Sequence, residues 1–345
     1  VGDCDGDGLT DPGVGNACAL GADWWSKPGK SECDSVSGAP QCVGSAQEGE
    51  VTATYRVAGA RALDVAGETA LVATGARLEF VDLADPSHPQ RAGDLNVRGA
   101  VREVVALGRV ALAAAGARIA VVDFSEPDHA VLRDRLATCG TPLSVAADGS
   151  GVAIALCRDG LAVLVVRSAS EVSVISQVRF ARNLDGSWTA TTESGGDGRE
   201  DAAGVPPGSP AHFVALEGMH IFAVLGTELL QLDLGDGGSP ALLGSLGLPF
   251  EPTAFRVLAG RGYLVGPRGL SAIVDLRGDA PQLVPGGHEL SEWVQGVRFG
   301  DGVACRLTAE GSLEVARVED QSGGGAGALD SGVSGSASCC DSCGL

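Results

Sequence analysis

Along the middle of the chain, short apolar runs alternate with glycine-marked turns, and the pattern recurs. Ala62-Leu-Asp-Val-Ala-Gly67 aligns with Glu103-Val-Val-Ala-Leu-Gly108 and with Leu143-Ser-Val-Ala-Ala-Asp-Gly149, the closing glycines 41 residues apart each time. Phe213-Val-Ala-Leu-Glu-Gly218, Phe255-Arg-Val-Leu-Ala-Gly260 and Gly296-Val-Arg-Phe-Gly-Asp-Gly302 continue it at a spacing of 42. A second anchor keeps step: Leu78-Glu-Phe-Val-Asp82, Ile119-Ala-Val-Val-Asp123, Leu229-Leu-Gln-Leu-Asp233 and Ala272-Ile-Val-Asp275, with degenerate copies at Leu164-Val-Val-Arg167 and Leu313-Glu-Val-Ala-Arg317. Apolar runs this short, bounded by Gly and Pro, are strands rather than helices. The first copy reads as strands at 61–66, 69–74, 77–83 and 90–97, the last following Asp85-Pro-Ser-His-Pro89.

A period near 42 with four strands per unit predicts an all-β chain folded as a six-bladed β-propeller. A helical repeat of that length would need two amphipathic stretches of about ten residues or more, and the glycines leave no room for them. The sixth copy stops after three strands. A spare strand, Val51-Thr-Ala-Thr-Tyr-Arg-Val57, precedes the first copy and is expected to complete the last blade beside the chain near Glu314, removing the open sheet edges. Between Gly149 and Gly218 the spacing is 69, one period plus 28 residues, so 181–210 is expected to be a loop insertion rather than a lost blade. The organisation is therefore an N-terminal arm at 1–50, a propeller at 51–320 and a Gly/Ser-rich tail at 321–345.

Val81-Asp-Leu-Ala-Asp-Pro-Ser-His-Pro89 and Val121-Val-Asp-Phe-Ser-Glu-Pro-Asp-His129 make the repeat region resemble the LVIVD-repeat proteins, over about residues 51–320. The third, fourth and sixth units depart from the Val-Asp…Pro phrase. The resemblance implies a propeller and a secreted or cell-surface location. It carries no catalytic residue over.

The terminal segments differ in character. Asp3-Cys-Asp-Gly-Asp-Gly-Leu-Thr-Asp11 sets Asp3, Asp5 and Asp7 at loop positions 1, 3 and 5, the Leu9 carbonyl at 7 and Asp11 at 9, with Gly8 for the sharp turn. Hard oxygen ligands at this spacing suit Ca²⁺. The motif resembles the calcium loops of thrombospondin type 3 and dockerin repeats. Position 12 is Val14 rather than a bidentate Glu, so Asp23, Glu32, a water or another chain must finish the shell. Of ten cysteines, Cys4, Cys18, Cys33 and Cys42 lie in the N-terminal arm, Cys139, Cys157 and Cys305 in the repeats, and Cys339, Cys340 and Cys343 in the tail. Segments too small to bury a core are held by disulfides or metal. Cys4–Cys18 with Cys33–Cys42 is the simplest of three pairings within the arm. Cys139 and Cys157 flank one hairpin and can bridge it. Both groups are odd in number, so full oxidation requires a bridge between a terminal segment and a propeller, with Cys305 the expected partner. The tail is expected to dock on another subunit and be locked there.

Composition narrows the function. A net charge of −20 repels nucleic-acid phosphate. The longest apolar stretch, 104–124, is interrupted by Arg109, Arg118 and Asp123, so no membrane span is expected. The chain opens Val1-Gly-Asp3 without Met or a hydrophobic leader, which reads as a processed start. Histidines 88 and 129 share a repeat position, and neither HExxH nor GxSxG occurs, so no enzyme is expected. Trp24 and Trp25 suit a miniature core, Trp293 suits packing, and Trp188 is the aromatic best suited to a ligand. The expectation is a secreted or surface structural protein that forms a homo-oligomer or homopolymer, a filament or surface layer, through disulfide-locked terminal arms. The alternative is a monomeric surface propeller that binds a glycan or protein.

Overall fold

A computed structural model describes residues 48–319 except 158–159, 184, 194–211, 236–237, 259, 279, 285–296, 301–302 and 309–310, together with three short strands nearer the N-terminus. Those three, Ala17–Cys18, Gly29–Cys33 and Pro40–Val43, form one small antiparallel sheet in that order. The remaining described strands are all β and fall into six antiparallel sheets.

In the first sheet Ala60–Ala66, Thr69–Thr74, Arg77–Asp82 and Gln90–Asn96 pair in sequence order. The second holds Val101–Leu107, Val110–Ala115, Arg118–Asp123 and Val131–Leu136, and the fourth His212–Glu217, His220–Leu225, Glu228–Asp233 and Ala241–Gly247. Ala254–Leu258, Arg261–Val265, Ser271–Asp275 and Gln282–Leu283 make the fifth. The hairpins turn on glycines at positive φ: Gly67 at 56°, Gly108 at 57° and Gly218 at 58° occupy the same turn of successive repeats. An L side chain there would be strained, which is why the glycine register survives where other residues drift.

The third sheet has five strands: Pro142–Ala147, Val152–Cys157, Gly160–Ser168, Glu171–Arg182 and Trp188–Glu193. The expected 181–210 loop is thus partly strand. Arg182 pairs with Trp188 and Gln177 with Glu193, so this stretch extends the sheet before residues 194–211, which lie outside those described. Trp188-Thr-Ala-Thr-Thr is rich in aromatic and β-branched residues, which suit a pleated, half-buried surface.

The sixth sheet joins the two ends of the repeat region. Its strands are Arg298–Gly300, Val303–Leu307, Ser312–Glu319 and, at the edge, Glu48–Arg56. Leu313 lies opposite Tyr55, Glu314 opposite Thr54 and Glu319 opposite Glu48.

The core lies between sheets. Leu71, Phe80 and Ala113 pack with Val104 and Phe124 between the first and second, where the Phe80 and Phe124 rings stack with centroids 5.7 Å apart. Leu112, Ile119 and Val121 meet Val145, Ala155 and Leu164 between the second and third. The same mode recurs between the third and fourth, the fourth and fifth, and the sixth and first sheets. Within Val110–Ala115, Ala111 and Ala113 face one neighbouring sheet while Leu112 and Ala114 face the other. Period-two alternation then puts apolar groups on both sides, so the strand is buried at every position and reads as a continuous apolar run.

Candidate functional site

The first strands of all six sheets converge on one cavity of about 440 Å³. Its lining includes Asp64 from the first sheet, Glu103 from the second, Ser144 from the third, Val214 from the fourth, Arg256 from the fifth and Arg298 from the sixth. These strands are otherwise apolar, so each polar side chain needs a partner where water is scarce.

The partners lie on the next sheet. The Ala106 amide donates to Asp64 Oδ2 at 2.7 Å. Ser144 Oγ donates to Glu103 Oε2 at 2.6 Å, and the Val145 amide donates to the same oxygen at 3.1 Å. Val214 N in turn donates to Ser144 Oγ at 3.1 Å, and Gly260 N donates to Glu217 Oε2 at 2.8 Å. Arg256 Nη2 donates to the Val297 carbonyl at 3.4 Å. Arg298 Nε faces Asp64 Oδ1 at 3.4 Å. The links pass from the first sheet to the second and onward to the sixth, and the last returns to the first. Most of the hydrogen-bonded pairs are 41–43 residues apart, one repeat, and Ser144 to Val214 is 70 because the five-stranded sheet intervenes.

Burial sets the electrostatics. Asp64 is 5 % exposed, and desolvation raises its pKa from 3.8 to about 6 against the opposing pull of Arg298. Desolvation also raises that of Glu103, opposed by the Ser144 hydrogen bond and by Arg298. One guanidinium therefore acts on two carboxylates, the buried Asp64, which it faces, and the half-buried Glu103 at longer range. Ser144 is engaged on both sides, as donor to Glu103 and acceptor from Val214, and acts as a joint between three sheets.

Two contacts fasten the edge strand Glu48–Arg56 to the first sheet. Tyr55 Oη donates to Glu79 Oε1 at 2.8 Å, and Thr52 Oγ1 donates to the Pro86 carbonyl at 2.8 Å. Burial, with the Glu79 carboxylate as acceptor, raises the Tyr55 pKa to about 12.

Cys139 and Cys157 are joined by a disulfide, with Cα atoms 5.8 Å apart. Cys305, the expected partner of a terminal cysteine, is instead a free thiol. It is wholly buried among Leu63, Val72, Val303 and Val315, and desolvation raises its pKa to about 12. A thiol enclosed by two packed sheets, and so far from its thiolate, is not available for exchange. Asp3, Asp5, Asp7, Leu9 and Asp11 lie outside the described residues, as do Cys339, Cys340, Cys343, Trp24, Trp25 and Trp293. Cys18, Cys33 and Cys42 fall in the small N-terminal sheet, of whose side chains nothing is described, and Cys4 lies outside it. Trp188 packs against the core between the third and fourth sheets, with the Arg182 guanidinium 5.9 Å from its ring centroid. His88 and His129 are exposed, each beside an acid, Asp85 at 2.8 Å and Asp128 at 3.5 Å. Among the described residues no cluster of three or more His, Cys, Asp or Glu side chains is placed to hold a metal ion, and no helix is long and apolar enough to cross a membrane.

Asp64, Glu103, Ser144, Arg256 and Arg298 were not singled out by the sequence reading. The available signal was an ionisable or hydroxyl side chain inside an otherwise apolar first strand, present in five of the six units.

No protein-family model matches the chain, and no curated protein matches it. Among solved structures it is similar to the Cps50 (Swd1) β-propeller domain of Myceliophteria thermophila, at 12% identity, covering 89% of this chain and 99% of that one with a TM-score of 0.49. A functionally unknown protein from Desulfotomaculum acetoxidans shares 9% identity over 80% of this chain and 86% of its own, with a TM-score of 0.48. The computationally designed Ika8 protein shares 10% over 75% and 70%, with a TM-score of 0.47. Likenesses this distant assign no activity.

Proposed function

We propose that this chain is a six-bladed propeller of the LVIVD-repeat kind, closed by the strand Glu48–Arg56, and that it serves outside the cytoplasm as a non-enzymatic structural unit linked to its own copies through its terminal segments. The return of the sheet-to-sheet links from Arg298 to Asp64, and the pairing of Tyr55 with Leu313, support closure. The Cys139–Cys157 disulfide supports an oxidising compartment. The acidic spacing at Asp3–Asp11 supports a calcium-rigidified N-terminal arm, and that reading rests on the sequence alone.

The observation that carries the assembly reading is the pairing of Glu48 with Glu319 on the sixth sheet. Residues 1–47 and 320–345 therefore join the sixth sheet at neighbouring positions, on two paired strands at one end of it. Seven cysteines lie in those two segments. With Cys139 and Cys157 joined and Cys305 enclosed, these seven are an odd number and cannot all pair with one another. An odd number is therefore left over to link copies: one joins two chains, and three allow a longer series. Electrophoresis of the full chain, produced in an oxidising compartment, is expected to give bands above the monomer without reductant, a dimer where one terminal cysteine per chain links copies and a ladder where three do, and a single monomer band with reductant. A single monomer band in both lanes, with a monomeric mass by light scattering, overturns the reading.

A further inference from the structure

We propose that the cavity ringed by the six first strands is a binding site for a small organic anion, a carboxylate or phosphate ester, received by the guanidinium groups of Arg256 and Arg298. This stands on the cavity alone and is independent of how copies are linked.

The charge balance comes first. The chain carries −20 overall, yet the charged side chains among the described lining are Arg61, Arg102, Arg256 and Arg298 against Asp64 and Glu103. Arg61 and Arg102 lie at the exposed rim and Arg256 and Arg298 deeper, so the lining as a whole carries net positive charge within an acidic protein.

The two acids are already occupied. Asp64 meets Arg298 through one oxygen and the Ala106 amide through the other. Glu103 Oε2 receives both Ser144 Oγ and the Val145 amide. With Arg298 set against this pair, a metal cation would have to displace a guanidinium to reach them. The arginines have the opposite balance. Among the described residues Arg256 makes one hydrogen bond, long at 3.4 Å, to Val297 O. Arg298 has the ion pair with Asp64 and a 3.4 Å contact to the same carbonyl. Each guanidinium has five N–H donors, so most remain to be used, and the planar fork matches a carboxylate or phosphate edge.

Size and shape agree. About 440 Å³ lies within the range of small-molecule sites, roughly 300–1,000 Å³. Phe213 and Phe255 contribute apolar lining beside the arginines, which suits a compact anion with a carbon body.

The test is isothermal titration of the full chain at low ionic strength with two separate probes, citrate and inorganic phosphate. Saturable binding of at least one is expected, with citrate alone indicating a carboxylate ligand and phosphate alone a phosphate ester. Arg256→Gln is expected to weaken that binding by about tenfold or more, and Arg256→Lys, which keeps the charge but not the fork, by less. Arg167→Gln, at an exposed pair with Glu171, is the control and is expected to bind as the parent does. If Arg256→Gln does not fold, Arg102→Gln at the exposed rim takes its place, with a smaller loss of affinity expected. No heat from either probe up to roughly 10 mM, or equal binding by the cavity variant and the Arg167 control, overturns the proposal.

Discussion

Asp64→Asn tests how the inner strands are held. In the parent, Asp64 is buried, accepts the Ala106 amide at 2.7 Å and faces Arg298 at 3.4 Å. Burial outweighs the attraction and lifts its pKa from 3.8 to about 6. The folded value lies above the unfolded one, so the folded chain holds this proton more tightly. The resulting stabilisation is whole below about pH 3.8 and is lost as pH rises through about 6. At about 1.4 kcal/mol per pKa unit the total is about 3 kcal/mol, of which about 1.4 kcal/mol disappears between pH 5 and pH 8. That interval lies above the isoelectric point of about 4.5, where the chain is least soluble.

Asparagine keeps an oxygen for the Ala106 amide and does not titrate. Any constant cost of the substitution is the same at both pH values, and the repulsion within a chain of net charge −20 nearly cancels between variant and parent. The unfolding free energy of the variant minus that of the parent should therefore rise by about 1.4 kcal/mol from pH 5 to pH 8. Urea unfolding followed by near-ultraviolet circular dichroism at the two pH values measures it. A difference that stays flat, or falls, would falsify the claim that Asp64 is desolvated in the cavity wall.

Two further substitutions probe the sheets themselves. Replacing both Cys139 and Cys157 by Ser opens a link spanning 18 residues, which on loop-entropy grounds costs about 3 kcal/mol and should lower the urea midpoint; an unmoved midpoint would mean the bond contributes nothing to the folded state. Gly93, on the outer strand of the first sheet, lies so close to the Pro127 carbonyl that an added Cβ would overlap its oxygen. Gly93→Ala is expected to cost about 1–3 kcal/mol by forcing the first and second sheets apart, and a melting temperature equal to the parent's would refute that close approach.

The strands were legible because what makes them is local. Each apolar run, its length and the glycine ending it lie within a few residues of one another, and a turn that needs positive φ at Gly67 or Gly108 leaves its mark at that position. The pairing of the 51–57 strand with the chain near Glu314 was legible too, because a three-strand unit at one end and a spare strand at the other fit only each other. The strand Trp188–Glu193 was hidden by its turn residues, Asp185-Gly186, which read equally well as a loop.

What the sequence by itself determined is the all-β class, the repeat and the hairpin register within each unit. Only the tertiary structure decided that Asp64, Glu103, Ser144, Arg256 and Arg298 face one cavity, that a hydroxyl and a guanidinium join neighbouring sheets, and that Cys305 is enclosed. Those outcomes depend on residues far apart along the chain, 41 positions for Ser144 and Glu103 and 234 for Arg298 and Asp64. A side chain's burial, and with it its pKa and its partners, is the sum of what several separate sheets bring to one place, and no short stretch of sequence contains that sum.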